Sequence, residues 1–163
     1  MTKTLLVVFH STTGGTAAMA QAAAQAAAGQ GVRVRLLPAG AAGPDDVQGA
    51  DGCIFATPET LAAIAGPMKD FFDRCYYAVL GRIEGRPYAL MVCAGSDGTN
   101  AARQVARIAT GWRLRAVAQP LIVCTRAQTP EQILAPKVIG VQDLARCAEL
   151  GATLAAGMEI GAF

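Results

Sequence analysis

The sequence is poor in charge and lacks long apolar runs. Only 16% of its 163 residues are charged, and 14 Lys and Arg nearly balance 12 Asp and Glu, which leaves a net charge of +2. No basic block is present that could follow a phosphate backbone, so we expect no nucleic-acid partner. No apolar run approaches the roughly 20 residues that a membrane-spanning helix needs, so we expect no membrane partner.

Export signals and cysteine pairs are also missing. The apolar run at residues 5–9 is very short, and no small-residue cleavage pattern follows it. The five cysteines form no C-x-x-C pair, and their odd number excludes a fully paired disulfide framework. We therefore predict a cytoplasmic protein whose cysteines are free thiols, and we predict no metal site.

Apolar residues make up 53% of the chain, and they occur in short runs that alternate with helical segments. Strands are predicted at residues 5–9, 32–37, 53–56, 88–94 and 117–124. Helices are predicted at residues 16–28, 45–48, 67–80, 100–110 and 141–157, with Gly29 and Gly111 as stops after two of them. This alternation predicts one α/β domain, residues 1–163, with a five-stranded parallel sheet between two helical layers. Pro120 predicts that the last strand lies at a sheet edge.

The loop after the first predicted strand carries the strongest functional signal. It joins a strand to a helix and combines hydroxyl groups, glycines and the free N–H groups of a helix N-terminus. The predicted anion-binding residues are Ser11, Thr12, Thr13, Gly14, Gly15 and Thr16. Because the loop contains no Lys or Arg, we expect hydroxyl and backbone donors to hold the anion. The alternative interpretation is a glycine-rich turn that only starts a helix.

The spacing S-x-T-G-x-T in this loop resembles the FMN-phosphate loop of the flavodoxin-like family. A second stretch, Thr57-Pro58 followed by GPMKDFFDR at residues 66–74, is similar to the third-strand loop and helix of flavodoxin-fold NAD(P)H oxidoreductases. The resemblance covers nearly the whole chain. It implies a flavodoxin-like doubly wound sheet with strand order 2-1-3-4-5, FMN as cofactor and NAD(P)H as electron donor.

The resemblance also implies where the flavin ring would lie. One edge would be lined by Thr57, Pro58, Glu59, Thr60 and Leu61, and the other by Cys93, Ala94, Gly95, Ser96, Gly98 and Thr99. Neither segment contains an aromatic residue, whereas flavodoxins of this family flank the ring with aromatic side chains. For His10 we predict a structural role beside the first loop, and for Glu59 a solvated position.

The resulting hypothesis is an FMN-dependent oxidoreductase that passes hydride from NAD(P)H to a quinone, a free flavin or a similar acceptor. No side chain is predicted to act as a catalytic acid or base. A flavodoxin-type electron carrier that docks on a redox protein, and a flavin-free binding module, remain as alternatives, and any of the three could form a homo-oligomer. The net charge of +2 disfavours the carrier, since carrier flavodoxins are strongly acidic. Residues 57–65 contain no glycine, so a peptide flip to positive φ would be strained there, which favours two-electron chemistry.

Overall fold

Strands and helices alternate along the chain, and the computed structural model describes residues 1–163. The strands are β1 (Thr4–Phe9), β2 (Arg33–Pro38), β3 (Gly52–Thr60), β4 (Ala63–Ile64), β5 (Pro87–Ala94), β6 (Arg115–Ala116) and β7 (Leu121–Cys124). The helices are α1 (Gly15–Ala28), α2 (Pro44–Gln48), α3 (Gly66–Val79), α4 (Thr99–Gly111), α5 (Pro130–Leu134) and α6 (Val141–Glu159). Every predicted element overlaps an observed one, and β4, β6 and α5 are additional. None of the helices is both long enough and apolar enough to cross a membrane.

The strands form one sheet in the order β2-β1-β3-β5, with β6 and β7 both paired to β5. All of these pairs are parallel, and only β4 runs antiparallel, as a short return of β3. The predicted order 2-1-3-4-5 is confirmed, because β5 is the fourth main strand and β6 and β7 share the fifth place. Phe9 pairs with Ala56, and Ala56 pairs with Met91, so the carboxyl ends of β1, β3 and β5 lie side by side.

Alternate side chains of each strand enter two separate cores, which confirms the three-layer architecture. Leu6, Val8 and Phe55 lie in the core beneath α3 and α4. Leu5 and Val7 lie in the opposite core, beneath α1 and α6. Parallel strands covered on both faces are apolar on both faces, which is why these strands read as continuous apolar runs.

The α3–α4 core contains most of the large aromatic rings. Phe55 lies at the centre of this group, with its ring centroid 4.9 Å from that of Phe72 and 6.1 Å from that of Trp112. Phe71 and Tyr88 complete the cluster. These five aromatic residues therefore stabilise the fold, and none of them lies at the carboxyl end of a strand.

In the opposite core, the alanine-rich α1 packs directly against α6. Ala20, Ala23 and Ala27 are fully buried in this contact region. Gly151 of α6 lies against the backbone of α1, where an added Cβ would be 2.1 Å from the carbonyl oxygen of Ala23. The small side chains of α1 and Gly151 therefore allow the two helix backbones to approach closely.

The predicted strand at residues 117–124 is wrong in its first half, because only Leu121–Cys124 form a strand and β6 lies before the predicted range. Tyr88 pairs with Ala116 and Met91 pairs with Leu121, so the four residues 117–120 stand opposite only two residues of β5. Pro120 has no N–H to donate to the ladder, and the chain bulges before β7 begins. The predicted edge position is confirmed, since β6 and β7 pair only with β5.

The two predicted glycine stops also differ in detail. Gly29 follows α1 but keeps a right-handed φ of −74°, and Gly31 supplies the left-handed φ of 81°. Gly111 is the last residue of α4, and Arg113 takes the left-handed conformation with φ 57°. Helix α4 thus continues far enough to place Trp112 in the aromatic cluster.

All five cysteines are free thiols in the structure. Burial raises the pKa of Cys53 to about 12 and the pKa values of Cys75 and Cys147 to about 11, from an ordinary value of 9.0. The folded state therefore retains these protons at a pH where the unfolded chain releases them. Their contribution to stability is complete below the unfolded pKa and is lost as the pH rises through the folded pKa.

We therefore expect the free energy of unfolding to fall with rising pH between 9.0 and about 12. Urea unfolding at about pH 8 and about pH 10.5 measures the loss, and Cys75→Val should show a smaller loss because it removes one of these protons. Identical pH dependence in the parent and in Cys75→Val would contradict the assignment of a raised pKa to Cys75.

Candidate functional site

A cavity of about 410 Å³ opens at the carboxyl edge of the sheet, between the loops that follow β1, β3, β5 and β7. Its volume falls within the range of roughly 300–1,000 Å³ typical of small-molecule sites. The lining residues are Ser11, Thr12, Thr13, Gly15, Thr16, Pro58, Glu59, Thr60, Leu61, Cys93, Ala94, Gly95, Thr125, Ala127, Ile133 and Lys137. Most predicted site residues thus come together around one cavity, and no aromatic side chain lines it.

The predicted site residues that do not line the cavity are Gly14, Thr57, Ser96, Gly98 and Thr99. Thr57 is fully buried. Its hydroxyl accepts a hydrogen bond from the N–H of Ala65 at 3.2 Å and donates to the carbonyl oxygen of Pro58 at 2.9 Å. Thr57 therefore fixes the approach to α3.

The loop after β1 presents free donors at the N-terminus of α1. Thr12 and Thr13 donate their N–H groups to no protein acceptor, and α1 has neither a side-chain cap nor an acidic residue in its first turn. The Ser11 hydroxyl accepts the N–H of Gly14 at 3.1 Å and holds the turn, in which Gly14 has a φ of 96°. Free N–H groups and the positive end of the helix dipole together favour an anion here.

Gly15 makes the close approach of this loop to its neighbours feasible. A Cβ on Gly15 would lie 2.8 Å from the Cys93 sulfur and 3.2 Å from the Cβ of Lys137. Both distances are shorter than ordinary van der Waals contact, so a side chain at position 15 would displace β5 or the segment around Lys137. Glycine at this position is therefore explained by packing.

The N-terminus of α4 has nearly the same backbone geometry as that of α1, but carboxylates of the protein already accept its N–H groups. Its cap, Gly98, has φ 84° and ψ −12°, against 96° and −16° for Gly14. The Glu59 carboxylate accepts the N–H of Gly98 at 2.9 Å and that of Ala101 at 3.2 Å. The Asp97 carboxylate accepts the N–H of Thr99 at 3.2 Å. Of these two glycine-capped helix ends, only that of α1 is free for an external anion.

The prediction that Glu59 is a solvated loop residue is wrong. Its carboxylate joins the loop after β3 to the start of α4 through the two hydrogen bonds just described. Hydrogen bonds to a charged acceptor contribute roughly 1.5–3 kcal/mol each. Glu59 therefore holds the two predicted ring-binding segments in a fixed relation to each other.

Residues 57–65 form a hairpin that extends beyond the sheet. Strand β3 continues to Thr60 and returns as β4, and the turn residues Leu61 and Ala62 have φ values of 51° and 61°. Two consecutive left-handed residues form the two-residue turn that usually selects Asn-Gly. The segment thus adopts positive φ at two residues without glycine, in a conformation that the sequence predicts to be strained. Asn100 supports the turn by donating from Nδ2 to the carbonyl oxygen of Ala62 at 2.6 Å.

His10 and Cys93 hold neutral side chains near the cavity. His10 donates its backbone N–H to Ala56 at 3.1 Å, its Nε2 lies 3.3 Å from the Thr12 hydroxyl, and burial lowers its pKa. Burial raises the pKa of the Cys93 thiol, against smaller lowering effects of the Thr16 hydroxyl and the Lys137 charge. His10 thus connects β1 to the loop that follows it, and burial keeps the Cys93 thiol protonated.

Sequence analysis missed the cavity residues that come from the segment after β7. These are Thr125, Ala127, Ile133 and Lys137. Thr125 donates its N–H to Ala94 at 2.8 Å, and Lys137 donates its N–H to Thr13 at 2.8 Å, so the segment spans from one predicted loop to the other. The Thr129 and Gln132 capping box could have revealed α5. No local signal predicts the contact of Lys137 with the first loop.

Comparison with known proteins identifies relatives of this chain and structures that share its fold. A flavodoxin from Aquifex aeolicus is 33% identical over 94 residues, which is 57% of this chain and 49% of that protein. This chain thus matches about half of the length of that curated relative.

Two solved structures share the fold along nearly the whole chain. A flavodoxin from the domain Archaea superposes with a TM-score of 0.78 at 20% identity, covering 96% of this chain and 99% of that one. Rubredoxin oxygen:oxidoreductase from Desulfovibrio gigas has a TM-score of 0.78 at 16% identity, with 96% of this chain matching 36% of that larger chain. The model of the NADPH-dependent FMN reductase family matches residues 37–128, from the end of β2 to the loop after β7. Because that match covers more than half of the sequence, the chain belongs to the NADPH-dependent FMN reductase family, within the flavodoxin-like FMN-binding proteins.

Proposed function

We propose that this protein binds FMN with its phosphate at the N-terminus of α1 and acts as an oxidoreductase. It would take hydride from NAD(P)H and pass it to a quinone, a free flavin or a similar small acceptor. The observation that carries the proposal is the contrast between the N-termini of α1 and α4, which are both capped by glycine. Carboxylates accept the N–H groups at the α4 N-terminus, whereas the N–H groups at the α1 N-terminus line the cavity without an acceptor. The residues present fit a phosphate monoester that accepts several hydrogen bonds.

The remaining cavity walls suit a flat ring. The hairpin residues Pro58 to Leu61 form one wall and residues 93–95 form the other. When bound, FMN would supply the hydride chemistry, and the protein would supply position and environment. Leu61, 97% exposed at the hairpin tip, and Ile133, 51% exposed, are the apolar side chains placed to exclude water where aromatic residues are absent.

Two alternatives are distinguishable from this proposal. A flavodoxin-type carrier would bind FMN but exchange electrons with a redox protein, and the net charge of +2 differs from the strongly acidic balance expected for steering to such a partner. A flavin-free binding module would bind neither FMN nor riboflavin. Steady-state oxidation of NADPH by the FMN-loaded protein, with a soluble quinone as acceptor, separates the reductase from the carrier.

The proposal predicts that FMN binds more tightly than riboflavin, which carries the same ring without the phosphate. Charge-assisted hydrogen bonds contribute roughly 1.5–3 kcal/mol each, so even two net bonds give a preference of at least about a hundredfold. Titration calorimetry with each ligand measures the ratio of the two dissociation constants. Equal affinities, or no flavin binding, would contradict the proposal.

Two substitutions assign the preference to the first loop. Ser11→Ala and Thr16→Val remove hydroxyls at the α1 N-terminus and should reduce the FMN preference while leaving riboflavin affinity nearly unchanged. Thr99→Val is the matched control, because Thr99 lies at the equivalent end of α4 and already donates to Asp97. Loss of the preference in Thr99→Val would move the phosphate site to α4 and overturn the assignment.

A further inference from the structure

Lys137 lies over the free helix end, although it comes from a distant part of the chain. Its backbone N–H donates to the carbonyl oxygen of Thr13 at 2.8 Å. Its Cβ would lie 3.2 Å from a Cβ added to Gly15, so its side chain begins directly beside the first residue of α1. It lines the same cavity as Ser11 and Thr16, and it is the only Lys or Arg that does so.

The ammonium group of Lys137 has no acidic partner. It donates to the carbonyl oxygens of Ile133 at 2.8 Å and Ala135 at 2.6 Å, at the end of the short helix α5. No carboxylate forms a salt bridge with it, whereas Lys3 and Lys69 pair with aspartates. Its charge also acts on the cavity, because it opposes part of the rise that burial causes in the pKa of the Cys93 thiol. Lys137 therefore brings an uncompensated positive charge to the cavity.

We propose that Lys137 is the cationic ligand of the phosphate bound at the α1 N-terminus and determines the preference for phosphorylated flavin. This inference rests on the proposed function. A phosphate dianion is a stronger acceptor for an ammonium group than two neutral carbonyl oxygens, because the bond joins opposite full charges. The flexible lysine stem allows the ammonium to turn from α5 to the anion while the backbone stays attached to Thr13.

The inference explains how a loop without Lys or Arg could hold a doubly charged group. Hydroxyl and N–H donors of the loop would supply direction, and Lys137 would supply the compensating charge. It also gives the segment after β7 a role, since the Lys137–Thr13 hydrogen bond fixes this residue relative to the loop. Without such a partner the phosphate charge would be balanced only by dipoles.

The test measures FMN and riboflavin dissociation constants by calorimetry for the parent, Lys137→Gln and Lys137→Arg. We expect Lys137→Gln to weaken FMN binding by between about 10-fold and about 100-fold and to change riboflavin binding by less than about twofold. Lys137→Arg should retain most of the FMN affinity. The FMN affinity of the parent should also fall with added salt more steeply than that of Lys137→Gln. Lys69→Gln, which removes an exposed lysine of α3, serves as the charge control.

The outcomes separate this inference from the function on which it rests. Equal loss of FMN and riboflavin affinity in Lys137→Gln would mean that Lys137 only caps α5, and the inference would fail. An unchanged FMN preference would overturn the inference while leaving the proposed function intact. A parent protein without any FMN preference would overturn both.

Discussion

Alanine at position 151 is expected to destabilise the fold by about 3 kcal/mol, the upper part of the range usual for overpacking. The added methyl group would lie 2.1 Å from the carbonyl oxygen of Ala23 and 2.7 Å from its carbonyl carbon. These are backbone atoms in the middle of α1, so no side-chain rotation can relieve the overlap, and the helices must separate. Separation would also open the buried contacts of Leu154 and Ala155 beside Gly151. Urea unfolding of the parent and of Gly151→Ala measures the difference.

Gly111→Ala provides the matched control. Gly111 lies in the last turn of α4, and no atom lies within 4 Å of the position of an added Cβ. Replacing an exposed helical glycine by alanine usually stabilises a protein, here by about 0.5 kcal/mol, because the unfolded chain loses freedom. If the two variants were equally stable, the close contact between α1 and α6 would not be an energetic feature of the fold.

Removal of the Glu59 carboxylate is expected to cost about 3 kcal/mol, since two charge-assisted hydrogen bonds are lost. Glu59→Ala would leave the N–H groups of Gly98 and Ala101 without their acceptor and would detach the hairpin from α4. We expect FMN and riboflavin affinities to fall together, because in the proposed complex the disturbed segments would face the ring and not the phosphate. This pattern differs from that expected for Thr16→Val, which should weaken the binding of FMN alone.

Unfolding and flavin titration of Glu59→Ala and Glu59→Gln test this expectation. The amide oxygen of glutamine can accept a hydrogen bond but carries no charge, so Glu59→Gln should fall between the parent and Glu59→Ala. Glu149→Ala, an exposed change on α6, should alter stability by less than about 0.5 kcal/mol. A stable Glu59→Ala protein with parental flavin affinity would show that Glu59 does not position the hairpin.

The sequence is sufficient to predict the layers of the fold and the first loop, because both depend on local patterns. Short branched runs identify the strands, and the spacing of Ser11, Thr13 and Thr16 is complete within a few residues. Glu59 and Lys137 could not be assigned from sequence. Glu59 acts on Gly98, and Lys137 contacts Thr13, so both roles arise only when the sheet register brings distant loops together.

The turn at Leu61 and Ala62 shows a second reason why part of the site could not be predicted from the sequence. Intrinsic preference predicts that neither residue adopts positive φ, and that preference is worth about 1–2 kcal/mol per residue. The turn persists because two side chains of α4 support it. Asn100 holds the carbonyl of Ala62, and the Gln104 side chain accepts the N–H of Ile64 at 2.8 Å. Local preference is overridden where helix α4 supplies the partners.

The interrupted last strand also affects how the protein behaves at high concentration. An exposed sheet edge can recruit a strand from another molecule, and natural proteins block this with bulges, prolines and charged residues. The bulge at residues 117–120, which ends in Pro120, removes a continuous ladder from one edge. At the other edge β2 carries the exposed side chains of Arg33 and Arg35. Both edges therefore carry features that disfavour strand addition and fibril growth.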